Sequence, residues 1–295
     1  MSIPDIAAQM VKNDSLKSSE DNARTIILVG SKSVGKSNLL HSFLDKTETT
    51  RETLVLEYSF GRKSSQKQSI DKTICHVWEY GGKLEMLKDV LMSIPIDGKF
   101  FYCVMVDLSK IKAIWNTLET CIKAIKEKYN EPSDDLELII IGGKYDIFKN
   151  YDSEIKKIIC TTMRSVSLVY KANLLFYSLK ESNLLRKAKE MLYTIGFGNN
   201  VPLKEKNSNY MKPLVIPKGS DSWESIGVSE STLEHIKARH LSRISSETEI
   251  KAEVKTIQRS HPEPILDSLA ALKYEELRNM ESYDSSIDDY LILLR

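Results

Sequence analysis

Eight consecutive residues carry the most specific chemistry in this chain. Gly30, Ser31, Lys32, Ser33, Val34, Gly35, Lys36 and Ser37 satisfy the pattern G-x4-G-K-[ST]. A loop of this kind wraps phosphates with backbone N–H groups pointing inward. Lys36 is expected to reach the β- and γ-phosphates, and the Ser37 hydroxyl to ligate magnesium. The chemistry requires a strand that delivers the loop and a helix whose N-terminus faces the anion. Both are legible. TIILVG (25–30) is short, β-branched and apolar, as a strand buried on both faces must be, and Lys36 to Asp45 reads as a helix.

The same alternation continues. LVLEYSF (54–60), TICHVWEY (73–80), FFYCVMVDL (100–108), LELIIIG (136–142) and ANLLFYS (172–178) read as strands, with amphipathic helices over about 111–129, 152–170 and 182–196. Strands alternating with helices predict an α/β fold: a mostly parallel, six-stranded sheet between two helical layers. The neighbouring strands within 54–80 are expected to form an antiparallel edge pair. Beyond Gly198 the character changes, with a strand-like KPLVIP inside a mixed segment and a charged, helix-prone stretch over 229–259. Leu266, Leu269, Leu272, Leu277 and Met280 recur at helical spacing, and the chain closes on YLILLR. The expected organisation is an N-terminal amphipathic segment and linker (1–23), a phosphate-loop domain (24–198), an extension packed on it (199–228) and a helical tail (229–295). The tail's apolar stripe, with Leu291, Leu293 and Leu294, either packs on its own domain or receives a partner.

Composition excludes several classes. In 295 residues, 42 Lys+Arg stand against 41 Asp+Glu, a net charge of +1, too balanced for a strong sequence-independent grip on nucleic acid. No apolar run approaches the roughly 18 residues that a membrane helix needs. The N-terminus does not read as a signal peptide, and no prenylatable cysteine ends the chain. Cys75, Cys103, Cys121 and Cys160 stand apart without a CxxC, and are expected to be reduced thiols. His235 and His240, five apart on a charged helix, do not share a face and are expected to be exposed rather than metal-bound. Trp78, Trp115 and Trp223 lack interleaved basic residues and are expected to pack in the core.

Three later segments resemble those of a Ras-like G domain, in the right order. Trp78-Glu79-Tyr80-Gly81-Gly82-Lys83 is similar to the W-D-x-G-G-Q segment of Arf and Gα proteins, with Glu79 and Gly82 on the γ-phosphate side. Glu79 replaces the aspartate that contacts magnesium through water, and Lys83 replaces the glutamine that orients the attacking water, so efficient hydrolysis is not expected. Gly143-Lys144-Tyr145-Asp146 stands where N-K-x-D belongs: Asp146 would accept two hydrogen bonds from guanine and Lys144 would lie along the purine. Ser178-Leu179-Lys180 matches the S-A-K guanine loop. The fold implied is a Ras-like G domain, and the cofactor implied is a guanine nucleotide with magnesium, an empty pocket being the alternative.

Around these segments the chain resembles the dynein light intermediate chains. Thr53 to Arg62 matches T-L-x-L-E-Y-x-[FY]-G-R, Trp78 to Gly82 matches W-E-x-G-G, and Gly143 to Phe148 matches [GS]-K-Y-D-x-F. D-L-S-K at 107–110, Ser153 to Cys160, Lys212 onward and Gly219 to Gly227 extend the likeness over about residues 3–228, nearest to the cytoplasmic dynein 2 branch. The resemblance implies a non-motor subunit whose partners are the dynein 2 heavy chain, other dynein 2 subunits and the intraflagellar transport machinery, located in the cytoplasm, at the ciliary base and along the axoneme. In that family the heavy chain performs ATP hydrolysis. Two other readings remain open on the residues alone: a free-standing atypical small GTPase, and a dynein 1 light intermediate chain that recruits cargo adaptors.

Overall fold

The computed structural model describes residues 23–46, 49–64, 72–96, 98–128, 136–198, 203, 205–244 and 264–280. Seven strands are present among them: β1 (Ala23–Gly30), β2 (Leu56–Ser64), β3 (Lys72–Tyr80), β4 (Lys99–Asp107), β5 (Leu136–Gly143), β6 (Asn173–Phe176) and β7 (Val215–Ile216). The helices are α1 (Lys36–Phe43), α2 (Leu87–Ser93), α3 (Ile114–Lys128), α4 (Tyr145–Phe148), α5 (Ser153–Val169), α6 (Ser182–Phe197), α7 (Trp223–Ile226), α8 (Leu233–Leu241) and α9 (Pro264–Met280).

The sheet order is β2-β3-β1-β4-β5-β6-β7, parallel throughout its centre. The runs TIILVG and FFYCVMV are buried at every position because both faces of each central strand are covered. Ile27, Val29, Tyr102, Val104 and Ile140 face a core closed by α2, α3, α5 and α8. Their neighbours Ile26, Leu28, Cys103, Met105 and Ile141 face a second core closed by α1 and α6. The three-layer expectation holds, and two edges differ in detail. KPLVIP contributes a seventh strand, two residues long and antiparallel to β6, where six strands were expected. β2 pairs antiparallel with β3 as expected, but it runs on through the polar Arg62, Lys63 and Ser64. An edge strand needs apolar residues on one face only, so its polar end carries no strand signal. The segment 84–93, read as no element from sequence, forms a short 3-10 turn and α2.

The extension is fastened by a buried ion pair. Arg164 on α5 donates to both carboxylate oxygens of Asp221, at 2.7 Å each, and to the Ser225 hydroxyl at 2.9 Å. Asp221 is held below the usual carboxylate range: its burial acts the other way and is outweighed by Arg164 and Lys206.

The chain divides into two compact units, residues 1–247 and 248–295. α8 therefore belongs to the first unit, whereas the tail was expected to start at 229. It turns Ile236 and His240 inward, four residues apart on one helical face. His240, expected to be exposed, is 1% exposed, and only His235 faces solvent. Trp115 is buried, while Trp78 and Trp223 are partly buried against the same core. All four cysteines are free and buried, and burial pushes the thiols of Cys75, Cys121 and Cys160 up to about 12, which keeps them protonated. In the second unit, α9 leaves Ile265, Leu266, Leu269, Leu272 and Tyr274 exposed. The N-terminal segment, the side chains of Leu277 and Met280, and Leu291, Leu293 and Leu294 lie outside the described residues. No described helix is long and apolar enough to cross a membrane.

Candidate nucleotide-binding site

β1 ends at Gly30, and the backbone turns at once. A Cβ on Gly30 would lie 1.9 Å from the Met105 carbonyl oxygen, and its φ is +124°, so only glycine lets the loop leave the sheet this close to β4. Ser31 N–H donates to that Met105 oxygen at 2.8 Å, and the Ser31 hydroxyl accepts the Asp107 N–H at 3.1 Å. Ser33 and Gly35 have positive φ, and α1 begins at Lys36.

Lys36 is 6% exposed, and its ammonium donates to the Ser31 carbonyl at 2.9 Å. Burial lowers its pKa, an effect that nearby Glu79 partly offsets. A buried ammonium whose hydrogen-bond acceptor is a neutral carbonyl favours an anion beside it. The Ser37 hydroxyl donates to Glu79 Oε1 at 2.7 Å, which brings the first and third sequence segments together. Glu79 is 5% exposed, and burial raises its pKa against the hydrogen bond from Ser37 and the charge of Lys36.

These groups line a cavity of about 300 Å³ that also receives Arg51, Thr53 and Gly81. Sequence reasoning did not select Arg51 or Thr53 for this site, because the segment between α1 and β2 has no periodicity to place it. Lys32, at the loop tip, pairs with Glu52 at 2.9 Å on the surface. Val34 instead points inward and is buried. Gly82 is not among the cavity's lining residues; Gly81 lies there, with its N–H already given to the Val55 carbonyl at 2.9 Å. Lys83 is exposed, and its carbonyl accepts the Tyr80 hydroxyl.

The base-side residues meet at the ends of β5 and β6. The Ser178 hydroxyl donates to Asp146 Oδ1 at 2.8 Å, and Lys180 Nζ lies 3.3 Å from Oδ2. Asp146 has a lowered pKa: its partial burial acts to raise it, and the bonds from Ser178 and Lys180 outweigh that. Lys144 does not join this group. Its ammonium donates to Asp107 Oδ2 at 2.7 Å, while the Ser109 N–H and hydroxyl occupy Oδ1 at 2.9 and 2.6 Å. Asp107, 1% exposed at the end of β4, thus ties the base-side loop to the phosphate loop. Gly143 makes that approach possible, since a Cβ there would lie 2.5 Å from Val34 Cγ2.

The residues present fit a nucleotide's phosphates with a divalent cation. Lys36, Ser37 and the loop backbone would hold the phosphates, Ser37 and Glu79 would face the cation, and Asp146, Ser178 and Lys180 would meet the base. Among the described residues, no group of three or more His, Cys, Asp or Glu forms a metal site by itself.

Residues 25–146 match the family described as "Ras of Complex, Roc, domain of DAPkinase", a span running from β1 to the base-side loop. The crystal structure of the dynein light intermediate chain's conserved domain superposes with a TM-score of 0.53 at 12% identity, covering 74% of this chain and 88% of that one, a likeness of fold. Cytoplasmic dynein 2 light intermediate chain 1 of Bos taurus is 33% identical over 75% of this chain and 73% of its own length. The Danio rerio protein of the same name is 30% identical, and the alignment covers 92% of each chain. A Ras-like sheet, a phosphate loop beside a glutamate-bearing third segment, and identity sustained over nearly the full length agree: the chain belongs to the cytoplasmic dynein 2 light intermediate chain family.

Proposed function

We propose that this protein is a non-motor light intermediate chain subunit of a dynein 2 complex, docking on and stabilising the heavy chain for retrograde intraflagellar transport and cilium assembly. The observation that supports this reading is the 30% identity to the Danio rerio cytoplasmic dynein 2 light intermediate chain 1, sustained over 92% of each chain. The Ras-like domain acts as a docking platform rather than as an enzyme. Lys83 stands where a water-positioning amide would be needed, so the site retains or lacks a guanine nucleotide without turning it over. The protein works in the cytoplasm, at the ciliary base and along the axoneme.

Co-purification from a ciliated cell tests the assignment. The full chain, tagged, is expected to bring down the dynein 2 heavy chain and not the dynein 1 heavy chain. Recovery of the dynein 1 heavy chain alone would move the protein to adaptor recruitment; recovery of neither would favour a free-standing GTPase.

A further inference from the structure

The block Leu-Glu-Tyr-Ser-Phe-Gly-Arg, which carries the family resemblance, does not line the nucleotide cavity and touches it only through the Glu57 bond to Thr53. It forms β2, the outermost strand of the sheet among the described residues. One face of β2 and β3 is aromatic. Tyr58 lies 4.7 Å from Trp78, 6.1 Å from His76 and 6.4 Å from Phe60 between ring centroids, and its hydroxyl bonds His76 Nδ1 at 2.9 Å. Phe60 is nevertheless 62% exposed and Tyr58 45% exposed, and Leu54, Val55 and Ile74 beside them are exposed as well. An edge strand that leaves such a surface uncovered offers its outer backbone groups to another strand.

The charges along β2 say which strand. The sequence runs from acid to base: Glu57 near the start, Arg62 and Lys63 near the end, all exposed. The Arg62 side chain has no hydrogen-bond or ion-pair partner among the described residues. Lys63 sits over the Tyr193 ring at 4.7 Å, and Glu57 accepts only the Thr53 hydroxyl, at 3.1 Å. A strand of this order is complementary to itself when antiparallel.

Register narrows the choice. Two copies related by a two-fold axis must pair residues of the same parity, so that outward-pointing backbone groups meet each other. Pairing Phe60 with its counterpart sets Glu57 opposite Lys63 and Tyr58 opposite Arg62, twice each by symmetry. The acid then meets the base on one face, and the guanidinium meets an aromatic ring on the other. A shift to Ser59 opposite Ser59 leaves Glu57 facing Gly61 and loses both matches. A shift to Gly61 opposite Gly61 keeps an aromatic ring, Phe60, opposite Arg62 but leaves Glu57 facing Ser65, so of these registers the Phe60 one alone gives both. We propose that β2 is a homodimer interface: a second copy of this chain adds its own β2 antiparallel at Phe60, continuing the sheet across the two-fold axis.

Sedimentation velocity of the full chain over a concentration series tests this, with circular dichroism and melting temperature reporting whether each variant folds. The wild type is expected to shift from monomer to dimer with concentration. Glu57→Lys sets lysine against lysine and Lys63→Glu sets acid against acid; each is expected to weaken dimerisation about tenfold or more. The Glu57→Lys/Lys63→Glu double variant restores opposite charges and is expected to dimerise again. A wild type that stays monomeric at every concentration overturns the proposal. So does a dimer that both single variants leave unchanged, or one that the double variant fails to rescue while remaining folded. Capture of an unrelated extended peptide on β2, with no self-association, likewise overturns the second copy as the occupant.

Discussion

At the scale of single residues, the proposed platform separates binding from turnover. Lys36, Ser37 and the turned backbone from Gly30 to Gly35 keep the groups that hold phosphates, and Lys36 is buried beside the cavity they line. Among the described residues no glutamine lines that cavity, and the side chain after Gly82 is an exposed lysine. A positioning glutamine or an arginine finger is worth about 10³-fold or more in related nucleotide hydrolases, so single-turnover hydrolysis of GTP is expected to run well below about one per minute. Nucleotide released from denatured protein and identified by chromatography measures occupancy. Lys36→Ala is expected to lower that occupancy, and to lower the melting temperature of any wild type that carries nucleotide, through lost ligand linkage. Steady multiple turnover at the rate of a stimulated GTPase would overturn the platform reading. Glu79 and Asp107 show what sequence inspection reached at this scale. Motif order alone puts Ser37 and Glu79 on the same side of the sheet, and the structure joins them by a hydrogen bond. The bond from Lys144 to Asp107 was not anticipated, because it depends on how far the ends of β4 and β5 stand from each other.

Elements carry the next level of argument, and α8 is the instructive case. Its charged sequence reads as a solvated helix, yet it lies on α5 and closes one of the two cores. His240 packs against Trp115, with centroids 5.9 Å apart, and its Nδ1 lies 3.0 Å from the Thr162 hydroxyl. That hydroxyl already donates to the Ile158 carbonyl at 3.0 Å, so Nδ1 carries the proton and donates, leaving Nε2 buried without a partner. Burial therefore lowers the imidazole pKa from 6.5 to about 4. The unfolded chain takes up this proton near pH 6.5 and the folded protein only near 4, so between those values the unfolded state binds more protons. Stability from His240 is complete above pH 6.5 and falls as the pH drops toward 4, by on the order of 3 kcal/mol in all. Urea unfolding of the wild type and of His240→Phe, followed from pH 7 to 4, is expected to give a shallower decline for the variant. Equal slopes would mean that this histidine is solvated in the folded protein.

For the whole molecule, the division into two units sets the expectation. The first unit, residues 1–247, contains the sheet, both cores, the Arg164–Asp221 clamp and α8. A chain ending at Ser260 keeps all of these, and is expected to melt cooperatively at the temperature of the full protein. The second unit contains α9, whose Leu266, Leu269 and Leu272 are exposed. An exposed apolar stripe of this kind suits a helix-in-groove partner, so the truncated chain is expected to recover less heavy chain in the co-purification. Recovery equal to that of the full chain would exclude the tail from docking.

The sequence by itself determined the phosphate loop, the order of strands and helices and the parallel centre of the sheet, because each is written in local signals: fixed spacings, unbroken apolar runs and period-3.6 stripes. It also set the order of Glu79, Asp146, Ser178 and Lys180 along the chain, and the structure brings Glu79 to Ser37 and Ser178 and Lys180 to Asp146 at the strand ends. Only the tertiary structure decided the rest. Arg51 and Thr53 reach the cavity through an irregular segment that carries no period. β7 is two residues long and pairs in an extension that is held by the Arg164–Asp221 ion pair and by the Phe176 N–H bond to the Leu214 carbonyl. Lys144 turns to Asp107, and His240 turns inward, because of what stands opposite them in space. Local pattern reports which face of an element is apolar; it does not report which polar group will meet another across a hundred residues, and the chemistry of burial is settled there.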